Sequence, residues 1–180
     1  MKKLVFGLIA TVMLSSSSFA QDSTEIVNSK DWQTIVNNNV KILNLIIDSN
    51  IDVKDIDLMN SDKIYSLIKL DKKEAMKLLE DSKTAASNLN SIYFNDTEKC
   101  ESCSLNSSEN WSQIASKIEF FRNNKNAYKD FLNNIGYSNL TAKVNCNNWR
   151  FYMCGGACVI TCELPPIFAG CLMMCTAQFC

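Results

Sequence analysis

The chain has 180 residues, 18 basic and 19 acidic, with nine cysteines and no histidine. Near-neutral charge removes the electrostatic footprint of a nucleic-acid binder. The missing imidazole excludes Ser-His and Cys-His nucleophile pairs and every histidine-ligated metal site, and five glycines with two prolines argue against a turn-rich all-β fold.

The first twenty residues read as a secretory signal. Met1-Lys2-Lys3 is a basic start, Leu4 to Leu14 is a short apolar run, and Ser18 and Ala20 fill the two small-residue positions of a cleavage site before Gln21. The apolar run is shorter than a bilayer span and is followed by serines. No cysteine stands near the site to carry a lipid. Cleavage predicts a secreted or periplasmic protein. It leaves 16 of the 18 basic residues against 19 acidic ones, a net charge of −3, on a length that suits one domain or one domain with a small appendage.

The next stretch, 21–145, predicts an all-α region. Val36, Val40, Leu43 and Ile47 recur at helical spacing, flanked by Trp32 and Ile46, and Ser49-Asn50 stops that helix. Ser61 is placed to cap a short helix carrying Ile64, Leu67 and Ile68. Asp71 starts another with Glu74 three residues on, the spacing of a capping box. The expected apolar face of that helix is Met76, Leu78, Leu79, Ala86, Leu89 and Ile92. A further helix begins at Ser107 or Ser108 and carries Trp111, Ile114, Ile118 and Phe121. After an Asn-Asn-Lys-Asn interruption at 123–126, Tyr128, Phe131, Leu132 and Ile135 continue the pattern. Four or five amphipathic helices with short joints predict a small bundle with these stripes as its core. There is no internal repeat and no glycine-rich phosphate loop. Glu74, Glu80, Asp81 and Glu119 sit among helical surface charges without a pairing pattern, so no catalytic residue, metal or cofactor is expected and the chain does not read as an enzyme.

Composition changes after the linker-like stretch 136–140. Residues 146–180 hold only Arg150 and Glu163 as charges yet seven of the nine cysteines. Cys154, Cys158 and Cys162 recur every fourth residue and form one stripe on a helix. Cys171 and Cys175 form a second, with Cys180 slightly out of phase. Pro165-Pro166 lies between them and predicts the joint of an antiparallel hairpin. Folding at that joint pairs Cys162 with Cys171, Cys158 with Cys175 and Cys154 with Cys180, a nested ladder in which the two residue numbers of each rung add to a nearly constant value, as antiparallel pairing demands. The expected architecture is therefore a helical domain, 21–145, followed by a disulfide-stapled helical hairpin, 146–180. Cys100-x-x-Cys103 reads as a local disulfide closing the loop between two helices, with a thiol redox pair or half a zinc site as the other readings. Cys146 is then the ninth cysteine, either a free thiol or the link of a disulfide-bonded dimer.

Phe151, Tyr152, Ile160, Ile167, Phe168, Leu172, Met173 and Phe179 crowd this segment, and a two-helix hairpin has little interior to hold them. They are expected to form a surface for a membrane or a protein partner. The other reading is that they pack onto the bundle. Gly155-Gly156 marks either a close approach of helices or a kink.

The block Cys158-x3-Cys162-x8-Cys171-x3-Cys175 resembles the paired C-x3-C frame of the α-hairpinin defence peptides, a helix-loop-helix with nested disulfides. The order of parts, a signal, a helical region and an apolar terminus with Cys146 through Cys180, is similar to secreted bacteriocin-like precursors of the halocin or fulvocin-related kind. That resemblance implies an antimicrobial effector acting through its C-terminal hairpin, with 21–145 as a propeptide or self-protection domain. The alternative expectation is a non-catalytic periplasmic or extracellular binding or structural protein with a stapled C-terminal subdomain.

Overall fold

The structure, a computed structural model, describes residues 25–49, 51–53, 61–93, 108–137, 149–161 and 164–180. Among them there is no strand, and the chain is all-α as expected. A single helical turn at 25–28 (α1) leads into α2 (Lys30–Asp48), α3 (Ser61–Leu67), α4 (Lys72–Tyr93), α5 (Ser108–Asn123), α6 (Lys125–Asn134), α7 (Trp149–Thr161) and α8 (Pro165–Phe179). The predicted signal segment, residues 1–20, lies outside the described residues, as do Cys100, Cys103, Cys146 and Cys162.

Local chemistry sets the helix ends. Ser29 caps α2 by accepting the Trp32 N–H on its hydroxyl at 3.1 Å. Asp71 caps α4, its carboxylate accepting the N–H groups of Lys73 at 2.9 Å and Glu74 at 3.1 Å. Glu74 does not close the reciprocal half of a capping box through its side chain, which instead pairs with Lys41 of α2. Two helices end on a left-handed residue. After α6, Gly136 has φ 81° and Tyr137 N–H donates back to Leu132 O at 2.9 Å. After α3, Lys69 has φ 53° and Leu70 N–H donates to Tyr65 O at 3.1 Å. Both are the six-to-one closure that satisfies late carbonyls, and glycine makes it without a Cβ penalty.

The C-terminus of α2 is held differently. Arg122, near the end of α5, donates from Nε to Ile47 O (3.1 Å), from Nη1 to Ile51 O (2.7 Å) and from Nη2 to Ile46 O and Ser49 O (both 2.6 Å). Glu119 pairs with the same guanidinium. One planar cation thus gathers carbonyls that lack main-chain partners at the helix end, Ile46 O also accepting the Ser49 hydroxyl at 2.7 Å, and it sits at the negative end of the helix dipole. Arg122→Ala is expected to cost about 3 kcal/mol, a value typical of buried hydrogen bonds to a charged group. Arg122→Lys should recover only part, because an ammonium cannot match the fork. Urea midpoints of the two variants check both statements, and wild-type midpoints would contradict them.

The α2 stripe is buried as its spacing predicts: Trp32, Val36, Val40, Leu43 and Ile46 face the core, with Ile47 half-buried. The α5 stripe Trp111, Ile114, Ile118 and Phe121 is buried as well. On α4 the expected face is rotated. Of the expected residues Leu79, Ala86 and Leu89 are buried, but Met76 and Ile92 are 57% and 63% exposed, and Ala75, Ser82 and Ala85 are buried in their place. Small side chains are selected there because α2 and α7 both cross this face, and small residues let helix axes approach closely. Ser82 is not left unpaired: its hydroxyl donates to Leu78 O at 2.7 Å and accepts from Asn38 Nδ2 at 3.1 Å.

The position of α8 organises the molecule. It packs against α2, α4, α5, α6 and α7. Every residue from Ile167 to Met173 is buried, a run of about two turns, so this part of the helix is covered on all sides. A helix apolar round its circumference belongs inside a larger assembly of helices. Here the assembly is the rest of the chain, and hairpin and bundle share one apolar core.

Candidate functional site: the stapled hairpin

Helices α7 and α8 run antiparallel, and two disulfides cross between them. Cys154 bonds Cys175 with Cα atoms 5.8 Å apart, and Cys158 bonds Cys171 at 5.7 Å. The nested ladder is therefore present, but its register differs from the expected one by a turn. Cys171 is taken by Cys158 and not by Cys162, Cys175 by Cys154 and not by Cys158, and Cys154 is not joined to Cys180. Cys180 is itself disulfide-bonded.

The prolines explain the shift. Pro165 and Pro166 are the first residues of α8, not the joint. A proline in the first helical turn gives up an N–H that would have no partner there, and its fixed φ suits the helix. With α7 ending at Thr161 and α8 beginning at Pro165, the axis of pairing lies nearer the N-terminus than a joint at the prolines would put it.

The apolar residues expected on a partner or membrane surface are mostly inside. Phe151, Phe168 and Leu172 are fully buried, Tyr152 is 1% exposed, and Met173 and Ile167 are buried too. Ile160 and Phe179 are partly buried and packed against the same core. The surface expectation is corrected for the six buried residues, whereas Ile160 and Phe179 keep partial exposure. A lone hairpin would have to leave these side chains outside, but α2, α4 and α5 cover it.

Trp32 of α2 is the anchor of this packing. Its ring meets Phe151 and Tyr152 edge-on at centroid distances of 5.4 and 4.8 Å, and its indole N–H donates to Ile135 O at 3.3 Å. Such edge-to-face pairs add to plain burial. The Trp32 ring lies over Gly155, where a Cβ would stand 3.0 Å from its Cη2 and 3.1 Å from a Leu172 methyl. At Gly156 a Cβ would meet Asn90 of α4 at 3.3 Å. Since α7 runs unbroken through both, the glycine pair serves close approach and not a kink. Gly170 has the same role on α8, where a Cβ would collide with the Ile114 side chain of α5. Asn39, fully buried on α2, donates to Phe168 O at 2.6 Å while its own carbonyl oxygen has no partner among the described residues. Sequence patterning names Trp32 and Ile114 only as stripe residues and passes over Asn39, Gly170 and Arg122. A polar residue inside the α2 stripe was the available signal for Asn39.

Two tyrosines carry a pH dependence. Burial pushes the Tyr152 hydroxyl up to about 12. Burial also raises Tyr128, with smaller contributions from Tyr137 and Asp48. The Tyr128 hydroxyl donates to Asn44 Oδ1 at 2.6 Å. In the unfolded chain tyrosine ionises at about 10. Between that value and the folded one the native state binds more protons, so stability is intact below about pH 10 and falls as pH rises through the window. Absorbance at 295 nm should show these two phenols ionising only as the fold is lost, and Tyr152→Phe should lessen the alkaline loss. A phenol at position 152 that titrates near 10 in the native protein would contradict this.

The carboxylates do not converge. Glu74 pairs with Lys41, Glu119 with Arg122, and Glu80 and Asp81 are exposed. Among the described residues, no group of three or more Cys, Asp or Glu side chains is placed to hold a metal ion, and no helix is long and apolar enough to cross a membrane. What the fold defines is an all-α protein whose stapled C-terminal hairpin lies within its core. Compared with protein-family models, curated proteins and solved structures, the chain matches none.

Proposed function

We propose that the chain is an exported, non-catalytic helical protein that works as one stapled unit, in a binding or structural role, in an oxidising compartment. The observation that carries this is the burial of α8 from Ile167 to Met173 at the centre of the bundle. A segment that supplies the core is poorly suited to act as a detachable surface. Export is supported by the signal-like start and by intramolecular disulfides, which persist mainly outside reducing cytosol. Limited proteolysis of the secreted protein, read by intact mass, tests it: one resistant species beginning near Gln21 is expected.

A second reading has one observation in its favour. Both described rungs lie within the hairpin, so 149–180 has the means to keep its shape if parted from α2 and α4. A bacteriocin-like effector would use that property, contacting a membrane or target protein only after release. Cleavage confined to 136–146, together with vesicle leakage by oxidised 146–180, would favour this second reading over the first.

A further inference from the structure

We infer that the two rungs form a redox latch sealed by docking: the thiols pair before the hairpin enters the bundle, and a reductant reaches them only when the hairpin leaves it. The four cysteines of the rungs are between 0% and 3% exposed. They lie between α7, covered by α4, and α8, covered by α2 and α5. Neighbouring plugs close the approach. The Trp32 ring sits on Gly155, next to Cys154, and the Ile114 side chain sits on Gly170, next to Cys171.

Thiol-disulfide exchange needs a thiolate to reach a disulfide sulfur, and access governs its rate. In the docked state that approach is blocked in both directions. On closing, each rung gives up two protons and two electrons to a low-molecular-weight disulfide, which becomes two thiols. On opening by dithiothreitol, the reagent becomes its cyclic disulfide and the rung returns as two cysteine thiols. Unpaired cysteine is a small apolar side chain that a core accepts, so a chain that docked before pairing would bury its thiols away from an oxidant and be slow to reach the oxidised form. Closing first is what secures it. The consequence is a chain that commits once, in an oxidising compartment, and keeps its rungs through later exposure to thiols. Cys180 provides an internal contrast, because it is disulfide-bonded yet exposed at the end of α8.

The test is a dithiothreitol time course on the oxidised full chain, quenched by alkylation and read by peptide mass, with near-ultraviolet circular dichroism in parallel. The Cys180 bond is expected to open first. The two rungs should open roughly 1,000-fold more slowly than in the urea-unfolded chain, since only the small open population reacts. Their loss should coincide with loss of the aromatic signal. Ile114→Val, a mild change at one plug, should speed rung reduction with little effect on Cys180. All bonds opening at one rate in the folded protein would overturn the latch, and so would rungs lost while the aromatic signal persists.

Discussion

A chain ending at residue 145 is expected not to fold. Removing 146–180 strips Phe151, Tyr152, Ile167, Phe168, Leu172 and Met173 from the core. Each such buried side chain contributes roughly 1.5–3 kcal/mol. Six of them together are worth on the order of 10 kcal/mol, which is comparable with the entire net stability of a typical domain. The remaining helices would expose Trp32 and the α5 face around Ile114, and the Asn39 amide would lose the Phe168 carbonyl. Among the described residues, the amphipathic helices have no second source of that surface. Far-ultraviolet circular dichroism and a urea titration of the truncated protein decide the matter: weak helicity without a cooperative transition is expected. A cooperative transition near the wild-type midpoint would show that α2 to α6 form a core of their own. It would also return the hairpin to the status of an appendage.

Removing the rungs should have the next largest effect. The cysteines of the inner rung are 13 apart in sequence and those of the outer rung 21. Loops of this size restrict the unfolded chain enough to contribute about 3 kcal/mol each. Cys158→Ala with Cys171→Ala should therefore lower the urea midpoint while leaving the protein folded. Adding Cys154→Ala and Cys175→Ala should bring the loss to about 6 kcal/mol and leave a marginal or molten chain. Alanine is chosen because serine would place hydroxyls in an apolar site. Unchanged stability in the four-alanine variant would mean that packing by α2, α4 and α5 holds the hairpin unaided.

These expectations depend on different parts of the sequence-to-structure relation. The α2 and α5 stripes, the short α3, the Asp71 cap and the start of α5 near Ser108 were legible because each depends on neighbours within a turn or two. The rotated face of α4 was not. Period and hydropathy favour Met76 and Ile92, but two close helix neighbours select alanine and serine instead, and those neighbours are remote in sequence. Arg122 escaped for a similar reason. Its acceptors are carbonyls more than 70 positions away in the chain, and an arginine near the end of a helix otherwise reads as a solvated charge.

The stapled C-terminus separates the two kinds of information most clearly. The sequence by itself determined that cysteines four apart would face one another across an antiparallel hairpin, because helical periodicity and a chain reversal suffice for that. It did not determine the register, since a proline pair is equally compatible with a joint and with a first helical turn, and only the folded chain shows which. Nor did it determine which way the apolar side chains face. Burial is a property of what surrounds a segment, and Trp32, Asn39 and Ile114, which surround this one, come from elements far away in the chain. Tertiary structure alone places Ile167 to Met173 of α8 at the centre, where lack of charge is what a helical segment enclosed on every side requires.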